Sequence, residues 1–295
     1  VTAHPSGEHY LGSRSSRPPP AHARLGPAEA AIFETFVVPR YMSLFGEIAL
    51  EMIADSDDAQ VVHLHCRTGY PDRGMAIRLP GAYILGLDAS AAALELARAK
   101  AATMPEMVSD YRLIEGLPTL LPEAAFSHAV TLHPPASAEE RGPLLAESAR
   151  LLGQHGQVLV AMPMRGSFQE VFDLLREYAL KHDEASVASS VEQAVLGWPT
   201  VEALHEELGA ADFDFVEVSL RPTTLRFQGG RDFFEDPIAR LAILPELRSA
   251  LNLGDAAEKA FAYVREAIDK YWSDRAFELT VNVGCATGRR APKPL

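Results

Sequence analysis

Nine consecutive residues, Val61-Val62-His63-Leu64-His65-Cys66-Arg67-Thr68-Gly69, concentrate the chemistry of this chain. A hydrophobic strand running into a small-residue turn is the usual opening of a nucleotide-binding α/β unit. Such a turn wants glycine, because the backbone passes close to the ligand and takes angles that a side chain forbids. Here only Gly69 remains, and His65 and Arg67 stand where the pattern wants no side chain. His63 and His65 are two apart on a strand, so they share a face. With Cys66 beside them and His133 at the end of a later strand, they offer imidazole and thiol groups that could hold zinc. Their spacing matches no established metal motif, so hydrogen-bonded pocket histidines are the plainer reading and no metal is expected. His133 is followed by Pro134 and Pro135. An imidazole there could serve as acceptor or base near neutral pH, although a Pro-rich turn ending a strand explains the same residues.

Composition narrows the setting. The 295 residues are 47% hydrophobic and 23% charged, which suits a full-sized core in one large domain or two small ones. A formal net charge of −13 argues against broad nucleic-acid binding and against docking on anionic membranes. Two cysteines, Cys66 and Cys285, imply no disulfide framework and make a reducing cytoplasm the default location. No apolar run approaches a membrane span. The N-terminus is polar and rich in Pro, Arg and His, without a signal-peptide core, and with Val1 as first residue the sequence given is expected to lack its initiator.

The elements that would position these groups alternate. Residues 1–27, with Pro18-Pro19-Pro20 and several serines, are expected to form a disordered tail. A helical pattern starts near Ala28 and runs to Met52, with Pro39 expected to break or kink it. Strands are expected at Val61–Cys66, Tyr83–Asp88, Tyr111–Glu115, Ser127–Leu132 and Gln157–Met162. Helices are expected near 71–79, from the N-cap Ser90 to about Ala102, over Ala138–Leu152 closed by Gly153, and near 167–181 and 200–208. Phe213–Arg226 reads as one long strand or two short ones, residues 231–272 as helical with breaks at Pro237 and Pro245, and Phe277–Val283 as a last strand. Strands separated by helices imply parallel pairing with right-handed crossovers. The fold class is therefore an α/β, doubly wound, mostly parallel sheet that binds ligands at the carboxyl ends of its strands.

Over residues 40–285 this order resembles the class I S-adenosylmethionine-dependent methyltransferases. The family opens V-L-D-L-G-C-G-T-G, against residues 61–69 here. A strand ending in an acid follows, Gly86-Leu87-Asp88, and then the helix Ala93-Leu94-Glu95-Leu96-Ala97-Arg98-Ala99-Lys100. The family's G-D-A-x-x-L-P corresponds to Gly116-Leu117-Pro118-Thr119-Leu120-Leu121-Pro122, its F-D to Phe126-Ser127, and its K-P-G-G to Gly153-Gln154-His155-Gly156. His133-Pro134-Pro135 is similar to the N-P-P or D-P-P of amino-group methyltransferases, whose first residue accepts hydrogen bonds from the target amine. A dinucleotide G-x-G-x-x-G would need glycine at His65, Arg67 and Tyr70. The resemblance implies a seven-stranded Rossmann-like domain over residues 28–290, a helical insert at about 231–272 before the last strand, and a short tail at 291–295. In related enzymes such an insert often covers the substrate, and its apolar residues here, Phe233, Phe234, Ile238, Leu241, Ile243, Leu244, Leu247 and Leu251, also suit plain packing, a partner or a dimer.

The departures from the family fall on ligand contacts. The family's acid facing the methionine portion is His63, the glycines of the turn are His65 and Arg67, and the acid that caps the adenine amine is Leu117. Asp88 keeps the ribose-binding acid, and Cys66, Thr68 and Gly69 keep their places. Core positions retain their character while pocket positions do not. The resemblance thus implies a methyltransferase-like protein with a degenerate S-adenosylmethionine pocket at His63, His65, Cys66, Arg67, Gly69, Asp88 and Leu117. Such a protein is expected to be non-catalytic and to act by binding a protein partner or a small molecule. The alternative is an active S-adenosylmethionine-dependent methyltransferase on a small molecule or protein, with His133 as the candidate catalytic residue. Arg67, costly to bury unpaired, is expected to turn toward Asp88 and form an ion pair across the ribose site, the alternative being an Arg67 that swings to solvent.

Overall fold

A strand buried on both faces needs a layer on each side, and β1 (Gln60–Leu64) meets that condition. Val61 joins the core on one face of the sheet, and Val62 and Leu64 join the core on the other. A computed structural model describes residues 24–292. The first 23 residues of the expected tail, and the last three of the chain, lie outside the described residues.

The order along the chain is α1 (Pro27–Ile32), a π-helical stretch (Phe33–Met42), α2 (Ser43–Met52), β1, α3 (Asp72–Arg78), β2 (Tyr83–Asp88), α4 (Ala91–Ala101), β3 (Val108–Leu113), β4 (Phe126–Leu132), α5 (Ala138–Leu151) and β5 (Leu152–Pro163). Then come α6 (Gln169–Lys181), α7 (Ala185–Gly197), α8 (Val201–Ala210), β6 (Phe213–Phe227), α9 (Gly230–Glu235), a second π-helical stretch (Ala239–Ile243), α10 (Leu244–Leu251), α11 (Ala256–Tyr271) and β7 (Phe277–Arg290). The seven strands form one sheet in the order β3-β2-β1-β4-β5-β7-β6. The first five are parallel, and β7 runs antiparallel between β5 and β6. Helices α5 and α8 cover one face, and the N-terminal helices, α6, α7 and the insert cover the other. This is the expected doubly wound, mostly parallel α/β sheet.

Several boundaries differ, each for a local reason. The N-terminal helix is not broken at Pro39; it widens into a π-helical stretch, in which Ser43 N–H reaches the Val38 carbonyl. The wider turn accommodates a residue that has no N–H and whose ring crowds the preceding turn. Leu25, placed in the expected tail, is buried, and its carbonyl accepts the Ser90 hydroxyl at 2.8 Å. Strand β1 ends at Leu64, because His65 takes a left-handed φ of +56°. Strand β3 spans 108–113 instead of 111–115. Gly153 does not close a helix: residues 152–163 are one strand, and the Gly153–Gly156 segment bulges between the Phe126/Leu152 and His128/Gln157 pairs. Helix α7 was not expected, since its sequence ASVASSVEQAVLG has no side-chain cap and is rich in serine and valine, both weak helix formers. Among the described residues no helix is long and apolar enough to cross a membrane.

Candidate functional site

In the order β2-β1-β4 the carboxyl ends of three strands lie side by side. This brings the 65–69 turn, Asp88 and His133 to one edge of the sheet. The turn keeps a glycine-type backbone without the glycines. His65, Arg67 and Gly69 have φ of +56°, +51° and +75°, the left-handed region that L side chains enter only at a cost. Cys66 N–H donates to the Leu87 carbonyl at 3.0 Å and Gly69 N–H to the Cys66 carbonyl at 2.8 Å. Lys100 Nζ, on α4, binds the Thr68 carbonyl at 2.9 Å and Glu34 at 2.7 Å.

His63 does not stand alone at the end of β1. Its Nδ1 lies 2.6 Å from Asp72 Oδ1, at the start of α3, and both side chains are 1% exposed. Asp72 Oδ2 accepts the Tyr111 hydroxyl from β3 at 2.7 Å. A carboxylate between two donors fixes the imidazole with its proton on Nδ1. His63 Nε2 is buried without a hydrogen-bonding partner. Tyr111 lies across the sheet because Gly86 has no Cβ; one there would sit 2.4 Å from the ring. Cys66 packs beside them, and burial first, with Asp72 and Asp88 adding to it, pushes its thiol pKa well up. Cys66 and Cys285 are both buried and free.

Asp88 organises the turn. Its Oδ2 accepts Arg67 N–H at 3.0 Å and its Oδ1 accepts Ser90 N–H at 2.8 Å. The Arg67 backbone is thus tied to Asp88. Burial lowers the His65 pKa, against Asp88 and with help from Arg67 and His63. Leu117 packs, partly buried, against the core beneath α5 and α8.

His133 follows β4 with φ +55°, its N–H bound to the Ala161 carbonyl at 2.7 Å. Its ring meets Phe45 edge-on at 5.3 Å between centroids. Nε2 lies 2.7 Å from the Tyr41 hydroxyl and 3.3 Å from Glu246 Oε2, a residue of the insert. Burial, with the Arg67 charge behind it, lowers the His133 pKa to about 3. The imidazole is therefore neutral, and the fitting assignment has Tyr41 O–H donating to Nε2. Burial also raises the Tyr41 pKa well above its ordinary value.

The structure gives His63 and His133 different partners. His63 is bound to Asp72 and His133 to Tyr41, and among the described residues no group of three His, Cys, Asp or Glu side chains is placed to hold a metal ion. An apolar recess lined by Ala49, Leu50, Ile53, Pro71, Met75, Val130 and Leu159 includes no residue of the 63–69 turn. Four residues of the site escaped the sequence reading: Tyr41, Asp72, Tyr111 and Glu246. None stands in a motif. Asp72, three residues after Gly69, and Glu246, an acid within an apolar insert, carried the only signal.

No protein-family model matches the chain, and no curated protein matches it by sequence. Solved structures do. A putative methyltransferase from Bacillus halodurans superposes with a TM-score of 0.54 at 16% identity, covering 84% of this chain and 99% of that one. Phosphoethanolamine N-methyltransferase 2 from Haemonchus contortus, solved with phosphomonomethylethanolamine and S-adenosylhomocysteine, gives 0.53 at 13% identity over 91% of this chain and 59% of its own. The YcgJ protein of Bacillus subtilis gives 0.50 at 11% identity over 84% and 98%. At such identities the likeness is one of architecture, and together with the strand order and the antiparallel β7 it identifies the fold of this chain as class I methyltransferase-like.

Proposed function

We infer that this protein is a non-catalytic member of the methyltransferase-like fold, acting at the strand ends by binding a protein partner or a small molecule other than S-adenosylmethionine. The observation that carries the reading is the His63–Asp72–Tyr111 network beneath a turn whose glycine conformations are filled by His65 and Arg67. The residues do not fit the methionine portion of S-adenosylmethionine. An acid is wanted at position 63, and an imidazole already bound to a buried carboxylate stands there. Leu117 can offer the adenine edge only apolar contact. Overfilling a site costs roughly 1–3 kcal/mol where the chain cannot move aside. A cytoplasmic location agrees with two buried free thiols.

The second reading, an active methyltransferase, is favoured by Asp88, which keeps the ribose-binding place at the end of β2, and by His133 after β4. Calorimetry and thermal shift with S-adenosylmethionine and S-adenosylhomocysteine separate the two. The expected result is no heat of binding and no rise in Tm at millimolar ligand. Low-micromolar binding must raise Tm by linkage and would overturn the first reading.

A further inference from the structure

Three segments far apart in the chain meet at one buried polar junction. Tyr41 comes from the π-helical stretch, His133 from the end of β4 and Glu246 from the first turn of α10. The side chains of His133 and Glu246 are 13% and 12% exposed, 3.3 Å apart, with the Tyr41 hydroxyl 2.7 Å from the same imidazole nitrogen. Both carboxyl oxygens of Glu246 are shielded and accept no hydrogen bond. A carboxylate in that setting is strongly disfavoured, whereas a neutral carboxylic acid is tolerated. Outside the junction Arg40 and Asp236 tie the same two coverings together at 2.9 Å.

We propose that the Tyr41–His133–Glu246 junction is a proton-controlled latch: protonated Glu246 holds the insert and the N-terminal helix over the carboxyl ends of β1 and β4, and loss of its proton releases them. The inference does not depend on which ligand the strand ends take.

The charged and titratable groups acting on Glu246 come from the end of β4, the π-helical stretch and α5. His133 lies 3.3 Å from it at the end of β4, and Tyr41, bound to the same imidazole, feels its charge from the π-helical stretch. Arg141 and Glu140 face it from α5, Arg141 drawing its pKa down and Glu140 pushing it up, while Arg67 acts on His133 from the turn. Arg141 is already committed to Glu207 through two bonds of 2.8 and 2.7 Å. Burial dominates and pushes the Glu246 carboxyl up to about 8. His133 stays neutral and Tyr41 stays protonated through the same range, so Glu246 is the member of the junction that titrates. The closed form binds its proton more tightly than the open form. Closure is therefore favoured at low pH and lost as pH rises through the closed-state value. Opening should grow by about tenfold per pH unit below that value and level off above it.

The test is hydrogen exchange on the full chain from about pH 6 to 9, corrected for the intrinsic rate, reading peptides from 33–42 and 239–251. In the wild type, opening of both segments should rise steeply and then flatten, together with loss of the infrared band of a protonated buried carboxyl. In Glu246→Gln, which keeps the shape and cannot ionise, both responses should vanish. Equal pH responses in the two proteins would overturn the proposal. Should the variant fail to fold, the wild-type infrared titration decides alone: a carboxyl ionising near pH 8 in step with exchange is the supporting result, and the absence of any protonated carboxyl at pH 6 sinks it.

Discussion

Left-handed backbone belongs to glycine, yet His65 and Arg67 hold it at φ +56° and +51°. An L side chain there costs about 1–2 kcal/mol, offset in a glycine variant by the greater freedom of its unfolded chain. His65→Gly should therefore raise stability by roughly 0.5–1 kcal/mol, read as a higher urea midpoint with unchanged slope; a lower midpoint would mean that the imidazole's packing outweighs the strain. His63 behaves differently. Restoring the family's acid with His63→Asp puts a second carboxyl against Asp72, which already lies 2.6 Å from the imidazole it would lose. Two buried carboxylates cannot both ionise at that range, so the single change should cost about 3 kcal/mol. Adding Asp72→Asn should recover much of that loss. The triple change His63→Asp, His65→Gly and Arg67→Gly should gain S-adenosylmethionine affinity only with Asp72→Asn present. Calorimetry checks this, and a gain without Asp72→Asn contradicts the role given to the His63–Asp72 pair. The motif positions were legible in the sequence because they are consecutive. Their partners Asp72, Tyr111, Tyr41 and Glu246 were not, since they arrive from four other elements and share no spacing.

Among the elements, α4 is the one whose start is best determined. Ser90 accepts the Ala93 N–H at 3.3 Å as its cap, donates its hydroxyl to the Leu25 carbonyl at 2.8 Å, and donates its backbone N–H to Asp88 Oδ1 at 2.8 Å. Ser90→Ala should cost about 1 kcal/mol through the lost cap, and about as much again through the buried Leu25 carbonyl left unpaired. Denaturation measures the sum, and faster exchange around Ala30 would show that the second part is real. A cost near 1 kcal/mol with Ala30 unaffected would assign the whole effect to the cap. The same element shows what a sequence can carry. Ser90 and the Tyr83–Asp88 strand before it were legible, because a capping serine and a fully apolar strand ending in an acid are local patterns. Helix α7 was not, having neither cap nor strong helix formers; it forms because Val187, Val191 and Ala194 complete the core over α6. Pro39 misled in the opposite direction. Its steric conflict with an α-helix is real, and the chain avoids it by widening through residues 33–42, which keeps one continuous helical cover over the strand ends.

For the whole molecule, the His133–Glu246 contact makes stability depend on pH from both sides. The His133 pKa falls to about 3 in the fold from an ordinary 6.5. As pH drops below the ordinary value the unfolded chain takes up a proton that the folded chain refuses, so stability declines between about 6.5 and 3. The Glu246 pKa rises to about 8 from 4.5. As pH climbs above 4.5 the unfolded chain releases a proton that the folded chain keeps, so stability declines from there up to about 8. Between about 4.5 and 6.5 the two slopes oppose and cancel, leaving a plateau with a falling limb on each side. Each uncancelled limb spans only about 1.5 pH units and is worth at most about 2 kcal/mol at about 1.4 kcal/mol per unit, reduced by whatever water the opened junction admits. Glu246→Gln should remove the alkaline limb and leave the acid one, and His133→Asn the reverse. Urea midpoints from pH 4 to 9 measure both. If the variants keep the wild-type curve, the pH dependence resides elsewhere in the molecule, and the strand-end covering is held by its apolar packing alone.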